Sequence, residues 1–158
     1  MKLRTLDTDV VVIGCALYDE IDGLQELWMD FGFNKSRRYY PIDKIVNGLG
    51  GRSKAMILFH SFTGCDQVSY FAKCSKTTAW KTWNNFPEIT EIFIALGSAP
   101  TTELVCQSMP MIEKFVCLMY KPTTSCESVD DLRRILFTKR VWIWSQSHLL
   151  QRLCSSIL

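Results

Sequence analysis

Leu6-Asp7-Thr8-Asp9-Val10-Val11-Val12-Ile13-Gly14-Cys15-Ala16 sets two carboxylates at the lip of an apolar run rich in β-branched residues. The reading of this stretch decides the fold. Val10 to Ile13 shows no polar alternation, which is the pattern of a strand covered on both faces at the centre of a parallel sheet. Along a strand, positions i and i+2 share a face, so Asp7 and Asp9 are expected side by side, with Thr8 opposite. Two carboxylates held that way repel each other unless a cation or a donor lies between them, and Mg²⁺ or Mn²⁺ is the usual partner of an oxygen-rich site. The alternative stays open: one Asp ends a turn and the other caps the strand edge in water.

Around this stretch lie 158 residues, 47% apolar and 22% charged, enough for one domain with a real core and short for two. The net charge of +2 does not by itself indicate a polyanionic partner, although after Asp131 the chain carries no acid and, beyond Arg133 and Arg134, the basic residues Lys139, Arg140 and Arg152. The seven cysteines are scattered, odd in number and without a C-x-x-C pair, which points away from a disulfide framework or a zinc module and toward a reducing compartment. Lys2 and Arg4 followed by an apolar run ending in Val12-Ile13-Gly14-Cys15 are reminiscent of a lipoprotein signal, but Asp7 and Asp9 break its apolar core. No segment reaches the roughly 18 apolar residues of a membrane span. The expected location is nuclear or cytoplasmic, with no membrane partner and no secretion.

Further along, Tyr18 to Gly23 is acidic (Asp19, Glu20, Asp22) and reads as a solvated loop or short helical turn. Leu24 to Phe33 reads as a strand by its aromatic content, and Arg37 to Ile42 as another ending at Pro41, with a hairpin turn at Asn34 to Ser36. Arg37 and Arg38 read as a solvated edge rather than a phosphate clamp. From Pro41 the period becomes helical through Ile42, Ile45, Val46 and Leu49, and a second apolar helix spans Ser53 to Phe62, running into Thr63-Gly64-Cys65-Asp66. His60 within that helix reads as a core histidine satisfied by its neighbours rather than as a ligand.

Val68 to Phe86 reads as a helix–turn–helix unit whose small-residue break is flanked by Lys73, Lys76 and Lys81, a corner that can grip phosphate by backbone amides at a helix N-terminus. The alternative is a surface corner with ordinary lysines. Pro87 to Gly97, Thr102 to Tyr120 and Ser128 to Arg140 read as amphipathic scaffold helices, the last opened by a capping-box-like Ser128 and Asp131. No dinucleotide, phosphate-loop or serine-hydrolase motif occurs, and although an Asp-led parallel sheet also suits a phosphoryl-receiver or haloacid-type hydrolase, no Lys or Thr lies in a companion motif.

Taken in order, Asp7-Thr8-Asp9, the two helices, and Thr63-Gly64-Cys65-Asp66 followed by a basic helical corner resemble the C-terminal half of a PIN-like nuclease domain of the flap endonuclease type. The wording Asp7-Thr-Asp-Val-Val-Val12, Arg37-Arg-Tyr-Tyr-Pro-Ile42, Phe62-Thr-Gly-Cys-Asp66 and Lys76-Thr-Thr-Ala-Trp-Lys-Thr-Trp83 is similar to that of animal proteins of mobile-element type. The resemblance covers about residues 5 to 140. It implies an α/β fold with a small, mostly parallel sheet over about residues 6–42, helices over about 42–140, and a divergent tail at 141–158. It also implies that Asp7, Asp9 and Asp66 are the catalytic and Mg²⁺- or Mn²⁺-binding residues of a phosphodiester hydrolase. Lys73, Ser75, Lys76, Thr77 and Lys81 would contact nucleic acid, DNA rather than RNA.

Two departures qualify that expectation. The family's sheet begins with an upstream strand bearing a metal-binding Asp, and only Met1 to Leu6 precede Asp7 here, so the domain is expected to be truncated, its N-terminal half supplied, if at all, by another chain. Lys73 and Ser75 stand where glycines let backbone amides approach phosphate. A non-catalytic nucleic-acid-binding remnant is therefore the alternative to a nuclease.

Overall fold

The computed structural model describes residues 1–65 and 70–138. They fall into two compact units, Met1–His60 and the part from Ser61 onward. The expected tail at 141–158 lies outside the described residues.

The first unit is α/β. Strand β1 (Lys2–Thr5) leads into helix α1 (Thr8–Ala16), and after a 3₁₀ turn at Tyr18–Glu20 comes β2 (Trp28–Phe31). A second 3₁₀ turn, Asn34–Ser36, precedes β3 (Arg38–Pro41), followed by α2 (Ile42–Leu49) and α3 (Arg52–Phe62). The sheet order is β1-β2-β3, with β1 parallel to β2 and β2 antiparallel to β3. It is thus mixed rather than mostly parallel, because Asn34–Ser36 makes a hairpin of the last two strands while α1 serves as the crossover that a parallel pair requires.

The decisive stretch is a helix, not a strand. Asp7, with extended backbone, accepts the amide of Asp9 on Oδ1 at 2.9 Å and so caps α1, and Asp9 puts a second negative charge in its first turn, where the helix dipole favours it. Those two residues outweigh the modest helix penalty of the four β-branched residues that follow. Burial settles the rest: Val12, Cys15 and Ala16 turn inward at helical spacing, whereas Val10 and Ile13 are exposed. The first strand of the sheet lies earlier, at Lys2–Thr5, ahead of the stretch expected to supply it.

One face of the sheet is the core. Cys15, Leu27, Met29, Ile42 and Val46 form a buried cluster, with Val11, Tyr18, Leu24, Tyr40 and Ile45 packed against it, so α1 and α2 share that face. Gly14 permits the close approach, since a Cβ there would collide with the tip of Met29. Gly32 ends β2 at φ +94°, where a Cβ would also come within 2.7 Å of the Ser36 carbonyl oxygen.

The second unit is helical: α4 (Lys76–Asn85), α5 (Ile89–Ser98), α6 (Thr102–Tyr120) and α7 (Val129–Thr138). Its centre is a set of interlocked rings. Phe62 lies 5.1 Å from Phe71, 5.7 Å from Phe93 and 6.1 Å from Phe115, while Phe93 meets Trp83 and Phe115 edge-on at 5.7 and 5.5 Å. Trp83, Phe93 and Phe115 have no exposed surface, and the Trp83 indole donates to Thr90 Oγ1 at 2.9 Å. The three downstream helices lie close to their sequence expectations. Pro110 sits inside α6, and the Ser128 hydroxyl accepts from the Asp130 amide at 3.2 Å. The expected helix–turn–helix is not formed as such: Tyr70 and Phe71 are not helical, and a turn at Phe71–Cys74 leads straight into α4.

Candidate functional site

The β1–α1 turn positions the two acids of the first unit. Thr5 Oγ1 accepts the Asp7 amide at 3.0 Å and fixes the chain's exit from the strand. Asp7 is exposed and its carboxylate is spent on the helix cap. Asp9 lies one step inside α1, 39% exposed, and its Oδ1 accepts from His60 Nε2 at 2.7 Å. A carboxylate offers no proton, so this contact requires the imidazole tautomer or ion that carries hydrogen on Nε2. His60 is 15% exposed, consistent with the satisfied histidine expected from the sequence, and its acidic partner is 51 residues away.

On a helix the two acids no longer share a face as they would on a strand: Asp7 is turned onto the backbone and Asp9 onto His60. The place is nevertheless a favoured one for ligands, being the carboxyl end of a parallel strand and the N-terminus of the helix that follows. The third acid of the expected set, Asp66, lies outside the described residues. Among the described residues no group of three or more His, Cys, Asp or Glu side chains could hold a metal ion. Mg²⁺ demands near-octahedral oxygen geometry, which a capping carboxylate and a His-paired carboxylate do not supply alone. The described donors therefore do not by themselves fit the metal that the resemblance implies.

The basic corner lies in the second unit. Ser75 caps α4, its Oγ accepting the Thr78 amide at 3.1 Å. Lys73 occupies the left-handed region at φ +60°, and Lys76 Nζ donates to Thr63 Oγ1 at 3.2 Å. Lys73, Ser75, Lys76, Thr77 and Lys81 are all exposed; the first four lie at or just before the start of α4, and Lys81 lies in the middle of that helix.

Sequence reasoning missed a third arrangement. Asp30, in the central strand, is only 2% exposed, and Arg37 grips it with both Nε, at 2.6 Å from Oδ1, and Nη2, on Oδ2. Lys2 Nζ adds a contact to Oδ2 at 3.4 Å. Hydrogen bonding from Arg37 holds the Asp30 carboxyl down at about 2 against the cost of burial, and Asp30 in turn raises the guanidinium further. Arg37 is therefore a structural cation and not simply a solvated edge. A lone Asp between apolar and aromatic neighbours in a strand was the available signal, since a buried carboxylate must find a cation.

No helix of the described residues is long and apolar enough to cross a membrane. No family model, curated protein or solved structure matches the chain.

Proposed function

We propose that the chain is a nuclease-like domain that acts on nucleic acid, with Asp7 and Asp9 as the acid pair of its divalent-metal site. The observation that carries this reading is the placement of both acids at the carboxyl end of β1 and the N-terminus of α1, where open α/β sheets bind ligands. His60 orients the Asp9 carboxylate, and Asp7 ties the turn to the helix. The exposed Lys73 and Lys76 at the start of α4 and Lys81 further along it supply cations for backbone phosphates. Mg²⁺ or Mn²⁺ would contribute charge neutralisation at the scissile phosphate.

A second reading, a non-catalytic nucleic-acid-binding module, is favoured by the engagement of Asp9 with His60 and by the lack of a three-donor group among the described residues. One experiment separates the two. An end-labelled DNA oligonucleotide is incubated with the protein in Mn²⁺ or in chelator, beside Asp9→Asn. Cutting that needs Mn²⁺ and disappears in Asp9→Asn supports the nuclease; salt-sensitive binding with no cutting under either condition supports the binding module.

A further inference from the structure

The sheet of the first unit has a second face. Strand alternation sets Lys2, Arg4, Trp28, Asp30 and Tyr39 opposite to Met29 and Tyr40, which belong to the core side. The register aligns Arg4, Asp30 and Tyr39 in one row across the three strands, and Lys2 and Trp28 in the next. Asp30 is the one acid in these rows, and it is buried and held by two cations. What remains open to solvent is aromatic and positive. Tyr39 is 49% exposed and Trp28 36%, and Lys2, Arg4 and Arg37 are exposed as well. Lys2 Nζ lies 4.6 Å from the centre of the Tyr39 ring and the Arg37 guanidinium carbon 5.4 Å.

We propose that this face binds single-stranded nucleic acid, with bases stacked on Tyr39 and Trp28 and phosphates on Lys2, Arg4 and Arg37. The chemistry selects that partner. A surface whose sole acid is neutralised attracts a polyanion, and exposed rings among its cations suit an anion that also carries flat apolar faces. Base and phosphate are joined through one sugar, so a base laid on the open part of Tyr39 brings its phosphates to Lys2 and Arg37. In a duplex the base faces are stacked on one another and are not offered to a protein ring, so the strand taken is unpaired. Asp30 acts from below, by fixing Lys2 and Arg37 beside the ring before the ligand arrives. The inference rests on the nucleic-acid reading above and adds the form of the strand and the surface that takes it, distinct from the corner at α4.

The test is fluorescence anisotropy of a labelled oligodeoxythymidylate with the full chain, in chelator so that nothing is cut, over a series of salt concentrations. Tyr39→Ala is expected to weaken binding roughly 5- to 100-fold, the loss of one base stack, while Tyr39→Phe binds as the wild type does. Arg4→Ala should lower the slope of log affinity against log salt by about one contact. A duplex of equal length should bind more weakly to the wild type and be indifferent to Tyr39→Ala. Wild-type affinity in both Tyr39→Ala and Arg4→Ala overturns the proposal, as does equal loss in Tyr39→Ala and Tyr39→Phe, which would mark a fold defect. The nuclease reading fails or stands separately: Mn²⁺-dependent cutting lost in Asp9→Asn, with Tyr39→Ala binding normally, removes the stacking face and leaves the nuclease. Weakened binding in Tyr39→Ala with no cutting does the reverse.

Discussion

The two units hold themselves together by different means. The second has a centre of large rings, with Phe62, Phe71, Trp83, Phe93 and Phe115 each touching others of the set. The first has a small core of Cys15, Leu27, Met29, Ile42 and Val46 on one face of three four-residue strands, and an ion cluster on the other. Ring burial is large and indifferent to pH, whereas the Asp30 cluster contributes only while its carboxyl is ionised. A scaffold can thus be built of helices alone, while the unit that carries the acids and the exposed cations accepts a stability conditional on charge.

The strongest way to break this contrast is at the rings. Phe93→Ala should cost about 3–5 kcal/mol, because it empties space among Phe62, Trp83 and Phe115 that rigid neighbours cannot fill. Chemical denaturation followed by segment-resolved hydrogen exchange should show the loss in α4, α5 and α6. Met29→Ala should cost about 2–3 kcal/mol, near the low end for such truncations, since flexible neighbours in this small cluster can partly close over the lost thioether. Its effect should fall in β1, β2 and α1.

Acid sharpens the contrast further. The Asp30 carboxyl is lowered in the folded chain to about 2 from a reference of 3.8, so its contribution is present above about pH 4 and is lost as pH falls from there toward 2. Exchange protection of β2 and β3 should therefore fade over that range before that of α6. In Asp30→Asn the protection of those strands should be lower at neutral pH and lose this acid dependence. Equal fading of strands and α6 in the wild type would show that the ion cluster does not set the first unit's stability. The smallest effect is expected at Asp9→Asn, below about 1 kcal/mol in the absence of metal, because Asp9 is part-exposed, its charge is screened by water, and the amide oxygen of Asn can still accept from His60.

Much of the second unit was legible in the sequence, because its helices are long enough for their apolar period to show. Thr102 to Tyr120 appears as expected, and Pro87 to Gly97 corresponds to Ile89–Ser98. The hairpin at Asn34–Ser36 and the helix after Pro41 were legible from turn and first-turn chemistry. The opening stretch was not, because a run such as Val10 to Ile13 satisfies a buried strand and a buried helix equally by periodicity. The cue that separates them is local: Asp7 and Asp9 form an N-cap followed by a first-turn acid, a helix start, and the apolar run after them merely continues it. β1 escaped notice because Lys2 and Arg4 alternate with Leu3 and Thr5 on a strand of only four residues. Of the candidate site, the spacing of Asp7 and Asp9 suggested a pair on one strand face, which the helix does not keep, and the His60 partner of Asp9 was not foreseen, since it lies 51 residues away and nothing local announces it.

The nuclease proposal requires Asp9 to take part in holding a divalent cation, and thermal unfolding of the full chain with Mn²⁺ and with chelator, beside Asp9→Asn, tests it most directly. Binding to the native state at a hundredfold excess over Kd adds about 2.7 kcal/mol, a clear rise in the midpoint. The account predicts that rise in the wild type and its loss in Asp9→Asn, which should otherwise unfold close to the wild type in chelator. A wild-type midpoint that is the same in Mn²⁺ and in chelator, or a rise that survives the substitution, would contradict it.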